Sequence, residues 1–408
     1  MKLRLPELFW YGRSTLELDL PDAWNVEVCP MRGAQRPALG DRELAHAIRN
    51  PIASPSIREL AQGKRKAVVV FDDMTRPTPV DRIAPIVVEE LLAGGIEEEQ
   101  ISFVCALGTH GALTQIELGK KVGPGILERF RVYNHNCYEH CTPVGTTSRG
   151  TPLAVNREVM SADLKVAIGC VTAHANTGFS GGGKIILPGV SHIDSIAHYH
   201  IEVPKEAPES VGLGNFDRNV MRFDIEEAAR LAGLDFKIDV VVNEWGATSG
   251  VFAGDFIAAH EKAVAEAKVH YALDPKPSRS DIVIANAFIK PNEMAIAALV
   301  GILGLEGLQG TVVIIANAPE GQVVHYLLGR FGHEYGGRQY PVSNIPGSVN
   351  LIVQAPHYDR TFMDWFANPE VVSWTRSWDE TLPLLRRSHG PGSRVAVVPS
   401  ATMAYYDG

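Results

Sequence analysis

The chain is poor in what nucleic-acid, membrane and secreted proteins need. Its 408 residues hold no Lys/Arg run and no basic tail, and 38 Lys+Arg against 47 Asp+Glu leave a formal net charge of −9 at pH 7. An acidic balance without a basic face gives no electrostatic footprint for a phosphate backbone. Long hydrophobic runs are missing too. The longest, Met294 to Leu305, is broken by Gly301 and Gly304 and falls short of the ~20 residues that span a bilayer. The opening "MKLRLPELFWYGRS" has neither a continuous apolar stretch nor a small-residue cleavage site, unlike a secretory signal. Cysteine is scarce: Cys29, Cys105, Cys137, Cys141 and Cys170 are odd in number and scattered, unlike the disulfide framework of a secreted domain. Together these absences predict a cytoplasmic protein that handles neither nucleic acid nor membrane.

What is present is ordinary globular composition, 45% hydrophobic and 21% charged, in a chain long enough for two cores. After an irregular, Pro-rich start with a short β segment at "STLELDL", strands and helices alternate. "KAVVVF", "ISFVCALG" and "LKVAIGC" are continuous apolar runs between polar loops, the pattern of parallel strands buried on both faces. "DRIAPIVVEELLAGG", "LTQIELGKKVG", "SHIDSIAHYHIEV" and "VMRFDIEEAARLAGL" carry helical spacing, and "FKIDVVVNEWGATSGVFAGD" reads as a hairpin. "DPKPSRS" (274–280) is the best linker, being polar and Pro-rich. Alternation then restarts with "DIVIANA", "NEMAIAALVGILG", "GTVVIIANA", "VVHYLLGRFG" (a helix), "VNLIVQA", "SWDETLPLLRRS" and "SRVAVVPS". The prediction is an α/β protein of two domains with mainly parallel sheets, 1–273 and 281–408. Sites in such folds lie where loops leave the carboxyl ends of strands, often between domains.

Four loops hold polar clusters. "DDMTRPTP" (72–79) brings Asp73, Thr75 and Arg76 together in a frame stiffened by Pro77 and Pro79. "GTHG" (108–111) flanks His110 with glycine at a strand end, where an imidazole can serve as acid or base. "VYNHNCYEHC" (132–141) superficially resembles a metal cluster. Its ligands are too crowded for an ordinary tetrahedral zinc site and lack a second pair, so packing is expected instead. "HANTGFSGGGKIILPG" (174–189) contains G-x-x-x-x-G-K, but Ile185 stands where a Walker A loop needs Ser or Thr. Gly181, Gly182 and Gly183 permit close backbone approach to an anion, and Lys184 supplies a cation or an amine nucleophile. His192, His198 and His200 follow on the next predicted helix.

Taken together, "DDMTRPTP", "GTH", "HANTGFSGGGKIILPG" and the later His200 resemble the catalytic subunit of nickel-dependent lactate racemase and its homologs, in order and spacing over residues ~65–200. The resemblance implies a larger N-terminal and a smaller C-terminal domain with the active site in the cleft between them. It also implies a nickel-pincer nucleotide, a pyridinium mononucleotide whose ring substituents hold nickel by sulfur, carbon and sulfur. Lys184 would be the covalent anchor and His200 the nickel ligand, with His198 and His192 as rivals, imidazole being a good ligand for nickel. His110 and His174 would be the acid/base pair and Arg76 the group holding substrate oxygens, with Asp73 as its carboxylate partner. Thr75, Ser180 and the glycines Gly181, Gly182 and Gly183 would complete the cofactor site, Ser180 and the glycines receiving its phosphate. Partners would be a small 2-hydroxy acid and the enzymes that make the cofactor and insert nickel. The implied reaction is racemisation or epimerisation by proton-coupled hydride transfer, which avoids a carbanion next to a carboxylate.

One region departs from the resemblance. Lactate racemases carry a Gln and a Lys early in the C-terminal domain to grip the carboxylate, where this chain has Ile296 and Leu299; Lys290, Asn292 or Glu293 could serve instead. A 2-hydroxy acid other than or larger than lactate is therefore expected: a hydroxy-dicarboxylate, an aromatic hydroxy acid or a sugar acid. Two further readings stay open, a different redox or dehydration reaction on the same cofactor, and a non-enzymatic phosphate- or nucleotide-binding module. The second needs the glycines but none of the histidines.

Overall fold

A computed structural model describes residues 1–327 and 344–407. Two six-stranded sheets dominate it. The first runs, edge to edge, through Thr248–Gly254, Phe236–Val242, Leu164–Cys170, Ala67–Asp72, Ile101–Ala106 and Arg131–Asn134. All neighbours are parallel except the hairpin pair at one edge, Phe236–Val242 with Thr248–Gly254. Every residue of the four inner strands Phe236–Val242, Leu164–Cys170, Ala67–Asp72 and Ile101–Ala106 is buried. Alternate side chains feed two different cores: Val69, Phe71 and Phe103 pack under the helices Val80–Ala93 and Ala258–His270, whereas Val68, Val70 and Val104 pack under Val220–Ala232. Covering both faces is what makes these strands read as unbroken apolar runs.

The second sheet is parallel throughout, in the order Ser373–Thr375, Val349–Gln354, Gly310–Ile315, Ile282–Asn286, Arg394–Val398 and Asn25–Val28. Its last strand corrects the expected boundary. Residues 1–273 were expected to form one unit, yet Asn25–Val28 completes the second sheet and Leu5, Leu18, Leu20 and Trp24 join the core of Ile282, Ile284 and Val397. The segment exposes alternate residues, so no continuous run advertises its partner.

Two local expectations also change. Residues 141–156 form an unforeseen antiparallel hairpin. The helix expected over "VVHYLLGRFG" does not begin: Val323–Leu327 are extended or turn, with His325 bridged to His110, and the remaining residues 328–332 lie outside the described residues. Backbone bonds to other loops replace helical ones there, from Val323 N–H to Asn292 O and from Tyr326 N–H to Thr109 O. "VYNHNCYEHC" packs as expected, with Cys137 buried against Ile193 and Ile196, and His135 contacting the Ser191 carbonyl at 2.9 Å. Among the described residues no helix is long and apolar enough to cross a membrane.

Candidate active site

A cavity of about 560 Å³ opens at the carboxyl ends of strands from both sheets and is lined by Asp73, Arg76, His110, His174, Lys184, His200, Glu293 and His325, among others. That size suits a small ligand or a cofactor.

The strand Ala67–Asp72 delivers the first cluster. Asp72 stays anchored in the sheet by Lys121 at 2.8 Å and by the Cys170 N–H at 3.1 Å. Asp73 follows and folds back on its own loop, accepting from the Thr75 N–H at 2.9 Å through Oδ1. Its Oδ2 meets His110 Nδ1 at 2.5 Å. Burial would raise the Asp73 carboxyl, but His110, then Arg76 and Thr75, outweigh burial and hold it well below the usual carboxylate range. An ionised carboxylate only accepts, so His110 Nδ1 is the donor of this pair, and Nε2 is the ring atom left to face the cavity. Arg76 Nη1 donates to the Thr75 carbonyl at 3.0 Å, to Thr75 Oγ1 at 2.8 Å and to Glu293 Oε2 at 2.8 Å. Its other N–H groups have no hydrogen bond among the described residues, and the side chain lines the cavity.

The strand Leu164–Cys170 delivers the second cluster. His174 Nδ1 faces the Asn176 N–H at 3.2 Å and the Thr177 N–H at 3.4 Å. Burial, then the charges of Lys184, Arg76 and Lys290, push this imidazole well below its ordinary pKa. It is neutral, with its proton on Nε2. Lys184 has no ion pair or hydrogen bond among the described residues, and burial followed by Arg76 and Arg222 lowers its pKa to about 7. His200, on the helix Ile193–Ile201, donates Nδ1–H to the Ile196 carbonyl at 2.8 Å, which leaves Nε2 as the lone-pair nitrogen. Burial brings its pKa to about 3. A neutral imidazole oriented through its second nitrogen is the arrangement of a metal ligand. His198 instead contacts Thr151 Oγ1 at 3.0 Å and His192 caps its helix, and neither lines the cavity.

The glycines are corrected. Gly181 lines the cavity, but Gly182 and Gly183 do not. Gly182 donates its N–H to Asp239 Oδ2 at 2.9 Å, and Asp239 is itself buried between Lys237 at 2.7 Å and His260 at 2.8 Å. A Cβ on Gly182 would lie 2.7 Å from the His260 ring, at a backbone φ of +58°, and one on Gly183 would lie 2.8 Å from Ala229 Cβ. The run is glycine because it presses onto a buried ion cluster and a helix. Ser180 is likewise committed: its hydroxyl donates to the Cys170 carbonyl at 2.9 Å and accepts from the Thr172 N–H at 2.9 Å. Arg222 clamps the same loop, donating to the carbonyls of Gly181 at 3.1 Å and Phe179 at 2.6 Å. The loop is thus a rigid mount for Lys184, with Ser180 and Gly181 at the cavity wall and the Gly182 N–H turned to the protein.

The far wall comes from the loop and helix after Ile282–Asn286. Glu293 and the helix residues Ala295, Ile296, Ala298 and Leu299 line the cavity, whereas Lys290 and Asn292 do not. All three polar substitutes have protein partners: Glu293 pairs with Arg76, Lys290 Nζ lies 3.5 Å from Glu293, and Asn292 donates to the Met74 carbonyl at 3.4 Å. His325 went unnoticed in the sequence. It lines the cavity, stacks edge-on with His110 at 5.3 Å between ring centroids and contacts Thr109 Oγ1 at 3.3 Å. Burial, then His110, push its pKa well below the ordinary value. The only signal was a lone His in an otherwise apolar segment. Among the described residues no group of three or more His, Cys, Asp or Glu side chains could hold a metal unaided.

Parallel sheets whose carboxyl-end loops converge on a histidine-lined cavity define an α/β protein with a ligand site of the enzyme type. Residues 11–212 match the lactate racemase N-terminal domain family. The chain is 30% identical over 280 residues to the lactate racemase of Thermoanaerobacterium thermosaccharolyticum and 32% identical over 281 residues to that of Lactiplantibacillus plantarum. These matches cover 68% and 67% of this chain, and each spans 65% of the relative's own length. The structure of the lactate racemase apoprotein from T. thermosaccharolyticum superposes with a TM-score of 0.76 at 21% identity, covering 100% of both chains. A protein from Thermotoga maritima superposes with a TM-score of 0.64 at 19% identity, covering 91% of this chain and 98% of its own. The chain belongs to the lactate racemase family.

Proposed function

We propose that this chain is a racemase or epimerase of a 2-hydroxy acid, other than or larger than lactate, that uses a nickel-pincer nucleotide. The observation that carries the reading is Lys184: a buried amine of pKa about 7 without an ion pair or hydrogen bond among the described residues, in one cavity with His110, His174 and His200. Such an amine is a nucleophile at neutral pH, and an amide-type link to a cofactor removes a charge that burial disfavours. His200 offers one imidazole. With no three-ligand protein group among the described residues, a nickel ion would take its other donors from the cofactor, which suits a sulfur–carbon–sulfur pincer.

When bound, that group supplies a hydride acceptor. The protein handles the proton and the geometry. His110, oriented by Asp73 through Nδ1, takes the substrate hydroxyl proton on Nε2 when its ring is neutral. His174, with its proton on Nε2, donates a hydrogen bond to the substrate oxygen from its own position. With Lys184 in an amide-type link, one of the charges that lower the His174 pKa would be removed, while burial, the larger cause, would remain. The unused N–H groups of Arg76 hold the substrate oxygens. A simple phosphate-binding module is disfavoured because Gly182 and Ser180 already spend their polar groups on the protein.

Producing the chain together with the enzymes that make the cofactor and insert nickel tests this reading. Added intact mass, bound nickel and a new visible absorption band are expected, with the mass lost in Lys184→Ala. Absence of all three from the wild-type chain would remove the cofactor.

Lys184 also predicts a pH dependence. Its folded pKa of about 7 lies below the ordinary 10.5, so between those values the unfolded chain binds more protons. Its penalty is therefore full below about pH 7 and fades as pH rises through that window. In cofactor-free protein the stabilising effect of Lys184→Met should shrink from pH 7 to 9.5, measured by urea unfolding at each pH. A difference that stays constant with pH would refute the lowered pKa.

A further inference from the structure

We infer that the substrate is a 2-hydroxy monocarboxylic acid with a bulky apolar side chain, seated against the cavity face of the helix Ala295–Leu303. The inference rests on the proposed 2-hydroxy acid chemistry and narrows it. Ala295, Ala298, Leu299 and Ile302 line the cavity together with Ile296. Their spacing of i, i+3, i+4 and i+7 is one face of a helix, while Ala297 and Val300 on the other side pack into the sheet core, which Ala298 and Ile302 also touch. Leu299 is 39% exposed on that wall. Trp365 and Phe366 line the same cavity from a different loop. An apolar face of this kind left open to a cavity is what a ligand's apolar part covers.

Among the described residues, charge and polarity favour this class over the others. The cations among the described cavity residues are Arg76, Lys184 and Lys237. Arg76 is paired with Glu293 and Lys237 with Asp239, and Lys184 is the proposed cofactor anchor. One substrate carboxylate can share Arg76. A second would find no cation on the helix wall and would meet Glu293, a like charge. A sugar acid needs partners for several hydroxyls, and the cavity face of this helix is Ala, Ile, Ala, Leu and Ile. An aryl or branched alkyl group loses no hydrogen bond there and leaves water.

The test uses both forms of the protein. Cofactor-loaded enzyme is assayed with each enantiomer of phenyllactate, 2-hydroxyisocaproate, lactate, malate and gluconate by chiral chromatography. The kcat/KM for phenyllactate or 2-hydroxyisocaproate should exceed that for lactate by at least about 10-fold, the lower bound for one methylene in an apolar pocket, with malate and gluconate lowest. Leu299→Ser, at a partly exposed position where folding is not at stake, should cut the phenyllactate-to-lactate ratio about tenfold. Preference for malate, gluconate or lactate would overturn the inference while leaving the racemase reading intact. Calorimetric binding of phenyllactate to cofactor-free protein separates the two. Binding weakened by Leu299→Ser with no isomerisation of any acid would uphold the apolar pocket and refute the reaction, and binding indifferent to Leu299→Ser would refute the pocket.

Discussion

His110→Ala is expected to lower turnover of the cofactor-loaded enzyme by about 10²–10⁴-fold, the usual contribution of a positioned acid–base group. The reason lies in two contacts. Asp73 Oδ2 holds His110 Nδ1 at 2.5 Å, which turns Nε2 to the reacting groups in a cavity lined by His174, Lys184 and His200. Cofactor content should survive the substitution, because His110 is neither the anchor nor the proposed metal ligand. The measurement is therefore chiral turnover alongside nickel content and visible absorption of the same sample. Asp73→Ala should reproduce part of the loss, since the imidazole would then lack an acceptor for Nδ1–H and could rotate. Normal turnover in His110→Ala would remove its acid–base role, and equal loss of turnover and cofactor would recast it as a binding residue.

Arg76→Met should be the most destabilising single change in the site, at about 3–5 kcal/mol, because breaking a buried pair from one side leaves the other charge uncompensated. Arg76 and Glu293 meet at 2.8 Å with side chains only 11% and 10% exposed, and Lys290 is the only other cation paired with Glu293 among the described residues. The double variant Arg76→Met with Glu293→Met should recover part of that stability, since the stranded Glu293 charge is gone, with the remainder lost because Lys290 then has no carboxylate partner among the described residues. Both should still lose turnover, as Arg76 is the group proposed to hold substrate oxygens. Urea unfolding of the two variants decides it: a double variant no more stable than Arg76→Met alone would show that the stranded Glu293 charge was not the cause.

Much of the site was legible because its residues sit in short loops directly after strands with an unmistakable apolar run. Asp73, Arg76, His110, His174 and Lys184 were all named from such loops, and His200 from its place on the next helix. All of them line one cavity. Gly182 and Gly183 lie outside the cavity for a physical reason: three adjacent glycines suggest an anion cradle, but the same residues are needed wherever backbone must lie flat on a packed helix and a buried carboxylate. The buried Lys237–Asp239–His260 cluster that occupies Gly182 comes from two elements more than fifty residues further along, and nothing local announces it. His325 was hidden in a segment whose apolar spacing suggested a helix, because the pairing that overrides it, with Thr109 and His110, is more than two hundred residues away.

Periodicity therefore pointed to the parallel α/β class, and loop chemistry with the family resemblance singled out a lysine and three histidines that share one cavity, since a strand buried on both faces and a polar loop at its end are both local patterns. Folding decided the rest. It placed Asn25–Val28 in the far sheet, tied Arg76 to Glu293 across 217 residues, and gave the Nδ1 atoms of His110 and His174 opposite partners, a carboxylate and a backbone N–H. Each of these depends on a partner distant in the chain or on a backbone N–H whose direction only tertiary packing sets, and neither leaves a trace in residue order.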